Sequence, residues 1–83
     1  MENINEVKIL NPLAELISDE VYNLLNSQGL INEKSVRNYQ IRRKFRSMRV
    51  RKVSATEALD SLQCEYPYLQ FDTIRKIVYH AQR

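Results

Sequence analysis

The 83-residue sequence has room for one small hydrophobic core, so we expect a single domain of marginal stability. Hydrophobic residues form 43% of the chain, which excludes full disorder, and one glycine and two prolines favour long helices over turn-rich β structure. A single cysteine excludes an internal disulfide and a cysteine-rich zinc site. No apolar run approaches the roughly 20 residues of a membrane span, and no signal-peptide pattern is present. We therefore expect a cytoplasmic protein without a membrane partner.

The charge is unevenly distributed along the chain. Residues 1–33 hold one lysine and six acidic residues, whereas residues 34–83 hold twelve lysines and arginines and four acidic residues. Nine of these basic residues fall within residues 34–52, which contain no acidic residue. Such a segment repels itself and is stabilised by a polyanion. The pattern favours a nucleic-acid partner over a merely solvated helix face.

The first third of the chain predicts an arm followed by a helix. Residues 1–10 show no clear hydrophobic period, so we expect a flexible arm there and a single helical domain over 11–83. Asn11-Pro12 is typical of a helix start and Gly29 of a helix end, which predicts the first helix over about 12–27. Its apolar residues recur at helical spacing and predict one buried stripe: Leu13, Leu16, Ile17, Val21, Leu24 and Leu25.

The second predicted helix is long and basic. It is expected to begin after Asn32, an N-cap candidate that Glu33 follows, and to run to about 48–50. Two apolar sets lie on nearly opposite sides of it: Ile41, Phe45 and Met48, and Val36 and Tyr39. A basic stripe between them consists of Arg42, Arg46 and Arg49. Two apolar sides predict a central helix packed on both flanks, or packed on one and dimerised on the other.

Two shorter helices are predicted to complete the chain. Ser54 and Glu57 have the spacing of a capping box, and Pro67 forces a stop, which predicts the third helix over about 55–65. Its expected buried face consists of Ala55, Ala58, Leu59, Leu62 and Tyr66. The fourth helix is expected from about Phe71 to the chain end, with a buried face of Phe71, Ile74, Ile77, Val78 and Ala81. The predicted fold class is all-α, a small bundle of four helices.

The last two helices, with Thr73-Ile74-Arg75-Lys76-Ile77 in the second, resemble the helix-turn-helix of small bacterial and phage regulators over about 55–83. Members of that family commonly have a hydrophobic helix ending in Tyr, a turn, a polar cap and a Thr-Ile-Arg-x-Ile pattern. This sequence differs in having Pro67 and no glycine in the turn, and Gln70 where Ser is usual. The resemblance implies a C-terminal helix-turn-helix in a bacterial transcription regulator that binds duplex DNA.

An α-helix fits the major groove of B-DNA, and Arg, Lys, Gln and Thr side chains reach base edges or phosphates there. On the last helix, Thr73, Lys76 and His80 share one outward line. The expected DNA-binding residues of the last helix and its turn are Gln70, Thr73, Arg75, Lys76, Tyr79, His80 and Arg83. The expected phosphate contacts in residues 42–52, here called the basic segment, are Arg42, Arg43, Arg46, Arg49, Arg51 and Lys52.

Other functions stay open at this stage. A helical protein-interaction module without a nucleic-acid role would use the acidic first helix or the patch of Val36 and Tyr39, and RNA is an alternative polyanion. Catalysis is not expected, because His80 is the only histidine and Cys64 lies near the end of a helix, where no N-terminal dipole activates a thiol. We expect no cofactor, no metal ion and no small-molecule substrate. A homodimer is compatible with the small core.

Overall fold

The computed structural model describes residues 11–80, which contain four helices and no strand. α1 spans Asp19–Ser27, α2 Glu33–Val50, α3 Ala55–Glu65 and α4 Phe71–His80. The predicted all-α class is confirmed for this part of the chain. The predicted arm over 1–10 and residues 81–83 lie outside the described residues. The chain divides into two compact units, Met1–Asn32 and Glu33–Arg83, and each is described by itself.

The start of α1 differs from the prediction. Asn11 initiates only a turn, in which its Oδ1 accepts a hydrogen bond from the backbone N–H of Leu13 at 2.9 Å. Ser18 then adopts an extended backbone, and its hydroxyl accepts from the N–H of Val21 at 3.2 Å. Because this N-cap precedes Asp19, whose charge suits the positive end of a helix, the helix begins there and not at 12.

The predicted apolar stripe of α1 is also wrong, since residues 13–17 precede the helix and do not extend its face. Among residues 11–32, Tyr22 is the buried residue, whereas Leu16, Val21 and Leu24 are exposed. The predicted end is confirmed: Gly29 has a φ of 73° and its N–H donates to the Asn26 carbonyl at 3.1 Å. Only glycine adopts this left-handed conformation without a steric cost.

In the second unit, α2, α3 and α4 pack against one another in a small bundle. Its buried core consists of Ile41, Leu59, Leu62, Tyr66, Ile74 and Val78, edged by Phe45, Met48, Leu69 and Ile77. The predicted inner sides of α2 and α3 are therefore confirmed. The prediction that Phe71 is buried is wrong, because this residue is 39% exposed. It opens α4, and the core face of that helix is formed instead by Ile74 and Val78, which are four residues apart.

The boundaries of α3 agree with the prediction. Ser54 has an extended backbone, and its hydroxyl accepts from the N–H of Glu57 at 3.1 Å. This satisfies one of the N–H groups that have no partner inside the helix. The helix ends at Glu65, just before Tyr66 and Pro67.

Candidate nucleic-acid interface

The turn between α3 and α4 fixes where α4 lies. The N–H of Leu69 donates to the Tyr66 carbonyl at 3.0 Å, and the side-chain amide of Gln63 donates to the Leu69 carbonyl. Leu69 itself packs on the core. A buried tyrosine, a packed leucine and a side-chain hydrogen bond hold this turn without a glycine. Gln70, the last residue of the turn, is exposed.

An open groove of about 400 Å³ lies between α2 and α4. The residues that line it are Asn38 and Arg42 of α2 and Lys76, Ile77 and His80 of α4. Sequence reasoning assigned Arg42 to a phosphate-binding stripe and Lys76 and His80 to a separate reading face. The structure brings these two predicted sets together on one surface.

Two residues that line the groove were missed as candidate site residues. Asn38 lies one helical turn before Arg42, and that i, i+4 spacing was the available signal. Its Oδ1 accepts from Arg37 through Nε at 3.1 Å and Nη2 at 2.8 Å, so its NH₂ group is the end of the amide that can donate to a ligand. Ile77 was assigned to the core and lies at the core edge, half-buried.

One carboxylate lies next to the groove. Asp72 pairs with Arg75, and its Oδ2 lies 3.5 Å from the Nζ of Lys76. The hydrogen bond from Arg75, and then the charge of Arg75, lower the pKa of Asp72. As an acidic residue in the first turn of α4, Asp72 also suits the positive end of the helix dipole. In the structure it also competes with any anion for two of the predicted DNA-binding cations.

The remaining predicted residues of α4 have mixed environments. The ring of Tyr79 makes an edge-to-face contact with Phe45 of α2, with centroids 5.8 Å apart, and stays 48% exposed. Thr73 is half-buried and Arg75 is exposed. Arg83 lies outside the described residues. The Tyr79 ring therefore joins α4 to α2 and keeps an open face.

The basic segment does not present all of its cations in the same way. Arg42 is half-buried, and exposed cations follow it in the predicted set: Arg43, Arg46, Arg49, Arg51 and Lys52. Lys44 was not in that set and is engaged inside the unit, where its Nζ pairs with Glu65 and lies 3.0 Å from the hydroxyl of Tyr66. Burial acts to lower the pKa of Lys44, but the hydrogen bonds to Glu65 and Tyr66 outweigh it and the pKa is raised. Lys44 therefore ties α2 to α3.

The end of α2 uses two of the predicted cations. Lys52 has a φ of 72°, and its N–H donates to the Arg49 carbonyl at 2.9 Å, while the N–H of Val53 donates to the Met48 carbonyl at 3.0 Å. These two bonds form a Schellman motif, which usually has glycine at the position of Lys52. The Nη1 of Arg49 also donates to the Val53 carbonyl at 2.9 Å. Arg49 and Lys52 thus help to end the helix.

Searches against protein-family models, curated proteins and solved structures found no match to this sequence. Within residues 11–80, none of the helices is both long enough and apolar enough to cross a bilayer. The helix-turn-helix identity of α3 and α4 stays a prediction.

Proposed function

We propose that this chain binds nucleic acid, and specifically duplex DNA, through α2 and α4. The observation that carries the proposal is the groove where Arg42 of one helix meets Lys76 and His80 of the other. Cationic and hydrogen-bonding side chains that converge from two helices favour a polyanion as the ligand. The exposed arginines of the basic segment extend the same charge along α2.

The binding mode that fits these positions places α4 in the major groove. In helix-turn-helix proteins the N-terminal residues of the recognition helix contact base edges, which corresponds here to Gln70 and Thr73. The cations of the basic segment would neutralise phosphates and release counterions. Such binding weakens steeply with salt. It uses α2, together with Lys76 and His80 of α4, for affinity, and the N-terminal end of α4 for any sequence preference.

The proposal is tested by titrating the chain with labelled random-sequence duplex DNA, single-stranded DNA and duplex RNA at two salt concentrations. We expect the tightest binding to duplex DNA and a loss of affinity at the higher salt concentration. Tighter binding to duplex RNA would transfer the proposal to RNA. Equal and negligible binding to all three would refute it.

The Lys76→Ala variant distinguishes base-specific recognition of DNA from non-specific binding to the DNA backbone. A reading role predicts a loss of about 1–3 kcal/mol on a preferred site, selected from a random duplex pool, and a smaller loss on random duplex. A phosphate contact predicts equal losses on both. Because Lys76 shares the groove with Arg42, we expect equal losses, whereas sequence reasoning favoured a reading role. Thr73→Ala is the matched change at the predicted base-contacting end of α4.

A protein-interaction module is the second candidate, and exposed apolar side chains in the unit of residues 1–32 favour it. Leu16, Leu24 and Leu30 are 64%, 59% and 68% exposed. Burying such side chains on a partner is favourable and depends weakly on salt. Leu24→Ser should abolish an adaptor function and leave DNA binding unchanged. The salt dependence of whichever complex forms distinguishes the two functions.

A further inference from the structure

We infer that the groove between α2 and α4 is a binding site for one phosphate group, here called the seat. This inference rests on the proposed nucleic-acid binding and specifies one of its contacts. The lining supplies a guanidinium from Arg42, an ammonium from Lys76, an imidazole from His80 and an amide from Asn38. All four can donate hydrogen bonds, and none of the residues that line the groove is acidic.

The donors suit an oxyanion such as a phosphate group. A planar guanidinium binds two phosphate oxygens at once, and a half-buried Arg42 has fewer orientations to lose than a fully exposed arginine. Lys76 adds a point charge from the facing helix.

The size and shape of the groove fit a phosphate that belongs to a larger molecule. Its volume of about 400 Å³ falls within the range of small-ligand sites, so a phosphate and its attached sugar can enter together. Because the groove is open, a continuous strand can pass through it. The ligand class is therefore a phosphodiester of a nucleic-acid backbone or the phosphate monoester of a nucleotide.

The seat gives α4 two separate roles. Lys76 and His80 bind phosphate together with Arg42, while Gln70 and Thr73, at the other end of the helix, are left for base edges. Asp72 pairs with Arg75 and its Oδ2 lies 3.5 Å from the Nζ of Lys76, so its charge competes with a phosphate for Lys76. Asp72→Asn should therefore tighten binding to phosphate.

The experiment is a nuclear magnetic resonance titration of the full chain with inorganic phosphate, a dinucleoside monophosphate and a nucleoside 5′-monophosphate, each at constant ionic strength set with sodium chloride. We expect saturable shifts of the Asn38 side-chain amide and the Ile77 methyl groups. Arg42→Gln or Lys76→Gln should weaken the response about tenfold or more, as expected for a lost charge-assisted hydrogen bond. Lys34→Gln removes the same charge from α2 outside the groove and should leave the response unchanged.

The outcomes separate this inference from the proposed function. Shifts that do not saturate, or that Lys34→Gln weakens as much as Arg42→Gln does, overturn the seat even if duplex DNA binds. Saturation by the monophosphate without duplex binding supports the seat and refutes the proposed function. If Arg42→Gln fails to fold, Arg42→Lys keeps the charge and removes the planar fork, and it should give an intermediate loss. If the folded Arg42→Lys variant shows an unchanged titration with phosphate, the Arg42 guanidinium does not bind phosphate through two hydrogen bonds. That result overturns the seat.

Discussion

Simultaneous replacement of Arg42, Arg46 and Arg49 by Gln tests the basic stripe directly. None of these side chains belongs to the core cluster, so the variant should keep its fold. The structural cost is concentrated at Arg49, whose hydrogen bond to the Val53 carbonyl is exposed and contributes about 0.5–1 kcal/mol. A urea denaturation curve should therefore show a small shift of the midpoint and no loss of cooperativity.

The effect on DNA binding can be calculated from the three lost charges. Each phosphate contact contributes about 0.9 to the slope of log K against log salt, so three contacts lower that slope by about 2.7. Between roughly 50 and 200 mM salt, the affinity of the unmodified chain should then fall about 40-fold more than that of the variant. The loss should be equal for duplexes of all sequences, because phosphate contacts carry no sequence information.

The assay is fluorescence anisotropy with labelled random duplex at four or more salt concentrations. The double variant Arg42→Gln with Arg46→Gln leaves Arg49 and its bond to Val53 intact, and its slope should fall by about 1.8. A triple variant that matches the double variant would show that Arg49 serves only to end α2. An unaltered slope in a folded triple variant would refute the phosphate role of the stripe.

Three further substitutions test the fold. Ser54→Ala removes the hydroxyl that caps α3 and should cost about 1 kcal/mol of unfolding free energy, visible in the urea midpoint; an unchanged midpoint would contradict the cap. Ile74→Asp places an unpaired charge at a fully buried position and should abolish the helical circular dichroism of the second unit, whereas a native spectrum would contradict its place in the core. Lys44 has a raised pKa in the folded chain, so its pairing stabilises the fold below the ordinary lysine pKa and is lost as pH rises through the folded value. Lys44→Met should therefore lose less stability than the unmodified chain as the pH rises above roughly 10.4, as measured by thermal melts.

Local sequence signals predicted the helices of the second unit well because their boundaries are set locally. Ser54 caps α3 through a residue three positions away, and Pro67 excludes helical backbone at the residue before it. The start of α1 was missed because the proline after Asn11 favoured a helix start there. The N-cap is instead Ser18, which Asp19 and Glu20 follow in the first turn.

The groove could not be predicted, because it depends on how two helices far apart in the sequence pack. Helical spacing placed Arg42 on one stripe and Lys76 on another, and only the core contacts of Ile41 and Ile74 determine that these stripes meet. Helical spacing likewise could not show that Lys44, in the middle of the basic segment, turns to Glu65. To distinguish a cation that pairs inside the fold from one that is open to a ligand, the residues that face each cation must be known.

The arrangement of the tyrosines gives the chain an intrinsic fluorescence that can report on folding and on ligand binding. It contains no tryptophan and five tyrosines, so its intrinsic fluorescence comes almost entirely from phenol rings. Tyr66 is buried and its hydroxyl is hydrogen-bonded to Lys44, whereas Tyr79 makes an edge-to-face contact with Phe45 and stays half exposed. Unfolding changes the surroundings of both rings, but only Tyr79 of the two lies on a helix that lines the groove, next in sequence to His80. Comparison of the Tyr66→Phe and Tyr79→Phe variants would therefore allow folding and ligand occupancy to be followed separately, without an attached dye.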